Sequence, residues 1–273
     1  MQSGEWSGDR KAVLERDEHT CRRCGTTAQE AHAGLRLYPI GDIELEDGVH
    51  ESAVVTVCPG CHDSLHSDPD PDLEPTPKQL FEFVRTATER EGVTVSAVAA
   101  FASLVSGLRE TLEGVDTTDP DAVADIATEY RQARREVLLA IESVDADLEH
   151  LHALDSDRLE PAVADALIEF RGTSMKLQSE LRGIVALGEL VVTGLDRCPG
   201  CFDPLEFSNS RCAACGLSQH DIDDWRDSDG SVAFGELHGA INETLQTASD
   251  TTEALTEHTT AVATELRGET NSS

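Results

Sequence analysis

Apolar positions follow two different periods along the chain, and the change between them divides it. Residues 10–20 open with RKAVLERD and read as a short helix. Leu35–Ile40 and Ala53–Val57 cluster or alternate β-formers and read as two strands, joined by a loop holding Gly41, Asp47 and Gly48. A helix start follows at Pro59. From Asp68 to Pro77 the chain alternates Pro with acidic residues, a stiff linker, since each proline pushes its predecessor out of the helical region.

Beyond the linker the period becomes helical. Lys78–Glu91 and Thr94–Leu112 read as helices stopped by Gly92 and Gly114. Asp119 as N-cap and Pro120 at the first position open the next helix. Its apolar series is Val123, Ile126, Tyr130, Ala133, Val137, Ile141, Val144, Leu148 and Leu151, heptad-like with a stutter. A cleaner seam follows: Val163, Leu167, Phe170, Ser174, Leu177, Leu181, Ile184, Gly188, Val191, Leu195. Its alternating steps of four and three mark a coiled-coil face. The two long helices most simply fold back as an antiparallel hairpin. A last helix carries a thin seam (Ile241, Leu245, Ala248, Thr252, Leu255, Thr259, Val262, Leu266) that packs weakly or needs a partner. Such seams are ordinarily core, and they also offer a surface for self-association or a protein partner.

Charge alters the picture of surroundings and partners rather than of fold. In 273 residues there are 53 Asp and Glu against 21 Lys and Arg, a formal charge of −32. Only three of the basic residues are lysines (Lys11, Lys78, Lys176). Hydrated carboxylates with so little Lys suit a halophilic protein in concentrated salt, where a Debye length of about 3 Å screens their repulsion. Residues 1–36 are neutral, with six basic and six acidic side chains, so the remainder carries the whole excess. Any approach to a phosphate backbone is expected at that end, through DNA contacts of the N-terminal domain. Val93–Leu108, the longest uncharged stretch, is shorter than the ~18–20 residues of a membrane span, and the N-terminus has no export pattern. A cytoplasmic protein without membrane contact is expected.

All eight cysteines fall in Cys-x-x-Cys pairs: Cys21/Cys24, Cys58/Cys61, Cys198/Cys201 and Cys212/Cys215. Two such knuckles bring four thiolates to one ion at ~2.3 Å, so two structural Zn²⁺ sites are the economical reading. Disulfides and single redox pairs are the rivals; the first needs an oxidising compartment and the second a βαβ pattern. Ten residues between Cys201 and Cys212 give a compact zinc ribbon, whereas 33 between Cys24 and Cys58 leave room for a hairpin. Four thiolates leave no open coordination position, so chemistry must lie elsewhere.

One arrangement carries more. Trp6 and RKAVLERD, then Cys21-Arg-Arg-Cys-Gly25, then Val54-Val-Thr-Val-Cys-Pro-Gly-Cys-His-Asp-Ser-Leu-His66 together resemble the HNH endonuclease family in its four-cysteine ββα-metal form. The composition fits a haloarchaeal member. The match covers residues ~6–67 and none of the helical region. Joined to the helical reading above, it gives an α+β, mostly α architecture. A small zinc-stabilised HNH-like domain (1–67) and a linker (68–77) lead into a helical hairpin or coiled-coil region (78–196). A zinc ribbon (197–220) and a C-terminal helix (231–268) follow.

The resemblance also implies metal-dependent phosphodiester cleavage, in which a divalent ion stabilises charge on the phosphate and a histidine activates water. Here the metal-ligand position falls on Tyr38, the general base on Pro39 and the Asn position on Ala53. Only His62 matches, as a candidate ligand for Mg²⁺ or Mn²⁺. His66 fits the pattern in a supporting place, and His32, His50 and His19 offer little in replacement. The expected function is therefore nucleic-acid binding with a degenerate cleavage site. The alternatives are an active nuclease using rerouted residues, or a non-catalytic coiled-coil adaptor.

Overall fold

A computed structural model describes residues 10–41, 50–67, 74–115, 120–205 and 210–272. Trp6, Asp47, Gly48 and Asp119 lie outside them, as do residues 68–73 of the linker.

The N-terminal module begins with α1 (Arg10–Arg16). Strands β1 (Arg36–Pro39) and β2 (Val54–Val57) pair antiparallel, Arg36 facing Val57 and Pro39 facing Val54. Both strands are shorter than their apolar runs. Leu35 and Ile40 are buried just outside β1, and Ala53 ends a 3-10 turn over Glu51–Ala53. Every strand of a two-stranded sheet is an edge, so Pro39 at the strand end is tolerated. Helix α2 (Pro59–His66) follows one residue after β2, with Pro59 in its first turn.

The Arg16-Asp17 pair at the end of α1 fastens the module. Asp17, buried, accepts the Thr56 N–H (2.8 Å) and two bonds from Arg16 (2.9 and 3.0 Å). Arg16 also donates to the carbonyls of Glu51 and Val54, each at 2.7 Å. Two side chains thereby satisfy the start of β2.

Four long helices make the rest: α3 (Pro77–Glu113), α4 (Pro120–His152), α5 (Pro161–Gly194) and α6 (Phe234–Ser272). A capping box between Thr76 and Gln79 starts α3. Helix α3 runs straight through Gly92, where a stop was expected. Gly92 is solvent-exposed, while Glu91 and Thr94 beside it are buried, so packing carries the helix past a local penalty of about 1 kcal/mol. Gly114 does end α3, as its C-cap.

The helices alternate in direction as an up-down-up-down bundle. Arg90 pairs with Asp147 and Phe101 meets Tyr130, setting α4 against α3; Arg182 pairs with Asp145 and Arg134 with Glu189, setting α5 against α4. The expected α4–α5 hairpin is present, yet the closest partners are α3 with α4 and α5 with α6. The partner that α6 needed lies within the chain. Its Leu237, Ile241, Ala248, Leu255 and Val262 are buried in the common core. Seam residue Gly188 has a packing reason: a Cβ there would lie 2.7 Å from the Phe101 ring.

Helix α3 is long and apolar enough to cross a membrane by length and composition, more so than its uncharged stretch alone suggested. Its Val98, Phe101, Ala102, Val105 and Leu108 are buried in the bundle core.

The module docks on the outer face of α4. Leu139 joins Ile40, Val55, Val57 and Cys21 in one apolar cluster. Around it Arg22 pairs with Glu136 (2.7 Å) and the Gly41 N–H is bound by Glu142 (2.7 Å).

Candidate metal and active site

Three of the four cysteine pairs are built alike. The residue after the second cysteine donates its N–H to the carbonyl of the first: Gly25 to Cys21 (2.9 Å), Phe202 to Cys198 (2.8 Å) and Gly216 to Cys212 (2.9 Å). That residue must take positive φ, which is 76°, 69° and 73° respectively. Glycine does this without strain; Phe202 does it at a cost. Its ring is fully buried against Tyr130, centroids 5.1 Å apart, which offsets the strain and seats the C-terminal quartet on the end of the bundle. The buried Tyr130 hydroxyl donates to the Pro199 carbonyl (2.7 Å), locking the same contact. The fourth pair differs. Cys58 caps α2, its sulfur accepting the Cys61 N–H at 3.5 Å, so the first quartet joins a knuckle to a helix start.

All eight cysteines are free thiols, gathered in two quartets whose sulfurs lie within 4.8 Å of one another. Neighbouring sulfurs stand at 3.7 Å (Cys24–Cys58), 3.5 Å (Cys198–Cys215) and 3.6 Å (Cys201–Cys212). A tetrahedron with ~2.3 Å metal–sulfur bonds has edges of about 3.8 Å. The quartets are thus compatible with two structural metal ions such as zinc. Sharing protons among crowded sulfurs splits their acidities. Hydrogen bonds from Cys198 and Cys201 pull Cys215 down to about 4, while bonds with Cys198 and Cys215 drive Cys201 upward. At the first quartet burial opposes ionisation of Cys24, but hydrogen bonds from Thr26 prevail and lower it to about 6. A divalent cation removes the repulsion that keeps the remaining thiols protonated.

The expected cleavage positions converge on one side of the module. His62 and His66, one turn apart on α2, stack with centroids 4.3 Å apart, and Tyr38 meets His66 edge-on at 5.2 Å. Arg36 donates to His62 Nδ1 (3.2 Å) and to Asp63 (2.6 Å). Arginine only donates, so Nδ1 must accept and the neutral ring carries its proton on Nε2. Burial, then the His66 charge, lowers the His62 pKa. His66 is the reverse: its Nδ1 faces the His62 carbonyl at 2.9 Å and must donate, which leaves Nε2 with the lone pair. The ring nitrogen available to a ligand therefore belongs to His66, not to the expected His62.

Tyr38 is turned toward α4. Burial, then the charge of Glu142 to which it hydrogen-bonds, pushes its phenol well above the ordinary value, so it stays a neutral donor. Pro39 pairs with Val54, and Ala53 is buried without a polar side chain. His50 folds onto its own turn, its Nδ1 accepting from Ser52 N–H (3.2 Å), while His32 and His19 are exposed. Of these residues Tyr38 reaches the histidine pair, through its edge-on contact with His66.

The bundle adds a polar group that reading the sequence missed. Glu189 on α5 binds Arg134 of α4 (2.6 Å) and His220 beyond the second quartet (2.9 Å). Burial would raise the Glu189 carboxyl, but Arg134 and His220 overcome it and hold it below its usual range. The hydrogen bond to Glu189 raises His220 in turn. These residues line an open cleft of about 740 Å³ that reaches Tyr38 and Pro39. Glu189 and Arg134 each stand one residue past a seam position (Gly188, Ala133), where a charged side chain reads as solvated, so no sequence signal marked them.

Neither a protein-family model, nor a curated protein, nor a solved structure matches this chain.

Proposed function

We propose that this chain is a non-cleaving, HNH-endonuclease-like zinc protein that binds nucleic acid through its N-terminal module, carried on a four-helix bundle with a second zinc site at one end. The observation that carries the loss of cleavage is the Arg36–His62 contact, together with Pro39 at the base position. The one histidine at a family position has its Nδ1 lone pair occupied by a guanidinium, and the base position holds a side chain that cannot take a proton. Support for binding is compositional: six basic side chains fall in residues 1–36 of a chain carrying −32. Several of them face inward, to Leu35, Asp17 and Glu136, so the contact surface is small and depends on shape more than on counterion release.

Incubating the full chain with supercoiled plasmid in molar KCl and Mg²⁺ or Mn²⁺, with electrophoretic and anisotropy readouts, tests this. Binding without nicking is expected. Nicking that disappears in His62→Ala or His66→Ala overturns the loss of cleavage, and absence of binding to duplex or single strands overturns the nucleic-acid reading.

A further inference from the structure

The seam between the module and α4 holds a second polar pocket, of about 360 Å³. Its floor is a stripe of α4 at three- and four-residue spacing: Thr128, Arg131, Gln132, Arg135 and Leu139. Its far wall is Arg16 and Arg22 of the module. Four guanidinium groups therefore converge here, in a lining that also holds Asp17, Glu18, Glu51 and Glu136.

Two of the four are spoken for. Arg16 is held by Asp17 and two carbonyls, and Arg22 by Glu136. Arg131 meets no carboxylate; its contacts are two long bonds, to the Thr128 hydroxyl (3.3 Å) and the Cys201 carbonyl (3.4 Å). Arg135 is only 8% exposed and lines the pocket; no hydrogen bond or ion pair joins it to a described residue, and its nitrogens are not sealed off but open into the pocket. A largely buried charge balanced only by a neighbouring carboxylate already bound to Arg16 favours an added anion. Burial, then the nearby Arg16 charge, pushes this guanidinium down to about 10; Asp17 offsets that only in part. Glu18 and Glu51 on the rim are exposed to solvent.

We propose that this pocket binds a phosphoryl group, with Arg135 as its buried anchor and Arg131 as the second arm. Planar, forked donors suit the oxygens of a tetrahedral oxyanion, and the volume holds one such group with a small substituent. Free phosphate and the phosphate of a nucleotide chain present the same chemistry. The site does not depend on the proposal for nucleic acid, because it lies in the seam with α4 rather than beside His62.

Thermal unfolding of the full chain at constant molar ionic strength, with gluconate replaced by orthophosphate, by chloride, or supplemented with oligothymidylate, tests the assignment. Saturating phosphate is expected to raise Tm by about 5 °C at roughly a hundredfold excess over Kd. The rise should vanish in Arg135→Met and shrink in Arg131→Gln. In phosphate-free buffer Arg135→Met should melt no lower than the native chain, since it removes an unpaired buried charge. A shift from oligothymidylate alone, lost in both variants, supports the site and assigns its phosphate to nucleic acid. An equal shift from chloride, no shift from any anion, or an Arg135→Met that melts lower in phosphate-free buffer overturns it.

Discussion

Glu91 lies in the bundle core at 1% exposure, its carboxylate accepting from Gln178 Nε2 at 2.7 Å while its other oxygen has no partner. Burial, helped by the Asp145 charge and opposed by that bond and by Arg182, pushes its pKa up to about 8. The folded chain thus holds a proton that the unfolded chain has released above its ordinary value near 4.5. With fewer protons bound in the unfolded state, stability falls as pH rises through the window from about 4.5 to 8, by up to about 1.4 kcal/mol per unit. Glu91→Gln should remove that slope and exceed the native stability at pH 8; denaturant titrations at pH 5, 6.5 and 8 measure it. A native chain with a flat profile contradicts the buried proton. The sequence gives little warning of such a residue. Glu91 stood next to an expected stop at Gly92, and its burial follows from α3 continuing through that stop. His66 was likewise present in the motif, but which ring nitrogen bears a lone pair depends on hydrogen bonds from Arg36 and to the His62 carbonyl, which spacing does not reveal.

Gly92 and Gly188 contrast local propensity with packing at the scale of the helix. Both lie inside continuous α-helices, and propensity alone values Ala over Gly by about 1 kcal/mol at each. Around Gly92 nothing lies within 4 Å of a built Cβ, whereas at Gly188 the Phe101 ring lies 2.7 Å away and Val105 3.2 Å. Gly92→Ala should therefore stabilise by about 1 kcal/mol, and Gly188→Ala should destabilise by about 1–3 kcal/mol through overpacking. Equilibrium urea unfolding distinguishes them; equal signs for both would contradict this packing of α3 on α5. The elements themselves were largely legible. The seam from Val163 to Val191 is buried at every step, Pro77, Pro120 and Pro161 all stand at helix starts, and the two strands and α2 occur in the expected order. Which helices pair most closely was not legible, because α5 presents a wide apolar surface that serves α6 and α4 alike. Nor was the docking face of α4. Leu139 and Arg135 fall outside the heptad series, and only contact with the module explains their burial.

For the molecule as a whole, the cysteine quartets sit at two junctions. One fixes the hairpin and α2 within a module whose apolar cluster is small and borrows Leu139 from α4. The other secures the chain between α5 and α6, where Phe202 and Tyr130 join the quartet to the bundle. Both surrounding clusters are small, so a metal ion held by either quartet would contribute to folding there. The inward-facing basic residues have a counterpart at this scale: arginines that sequence position assigned to a partner instead hold the module to α4. The most direct measurement is metal content with thiol reactivity on the same preparation, by native mass spectrometry before and after chelation. The account predicts two zinc ions per chain and eight thiols slow to alkylate. It further predicts that chelation releases both ions, exposes all eight thiols and lowers the melting temperature. A metal-free chain that melts at the same temperature, or one whose cysteines are joined as disulfides, would contradict it.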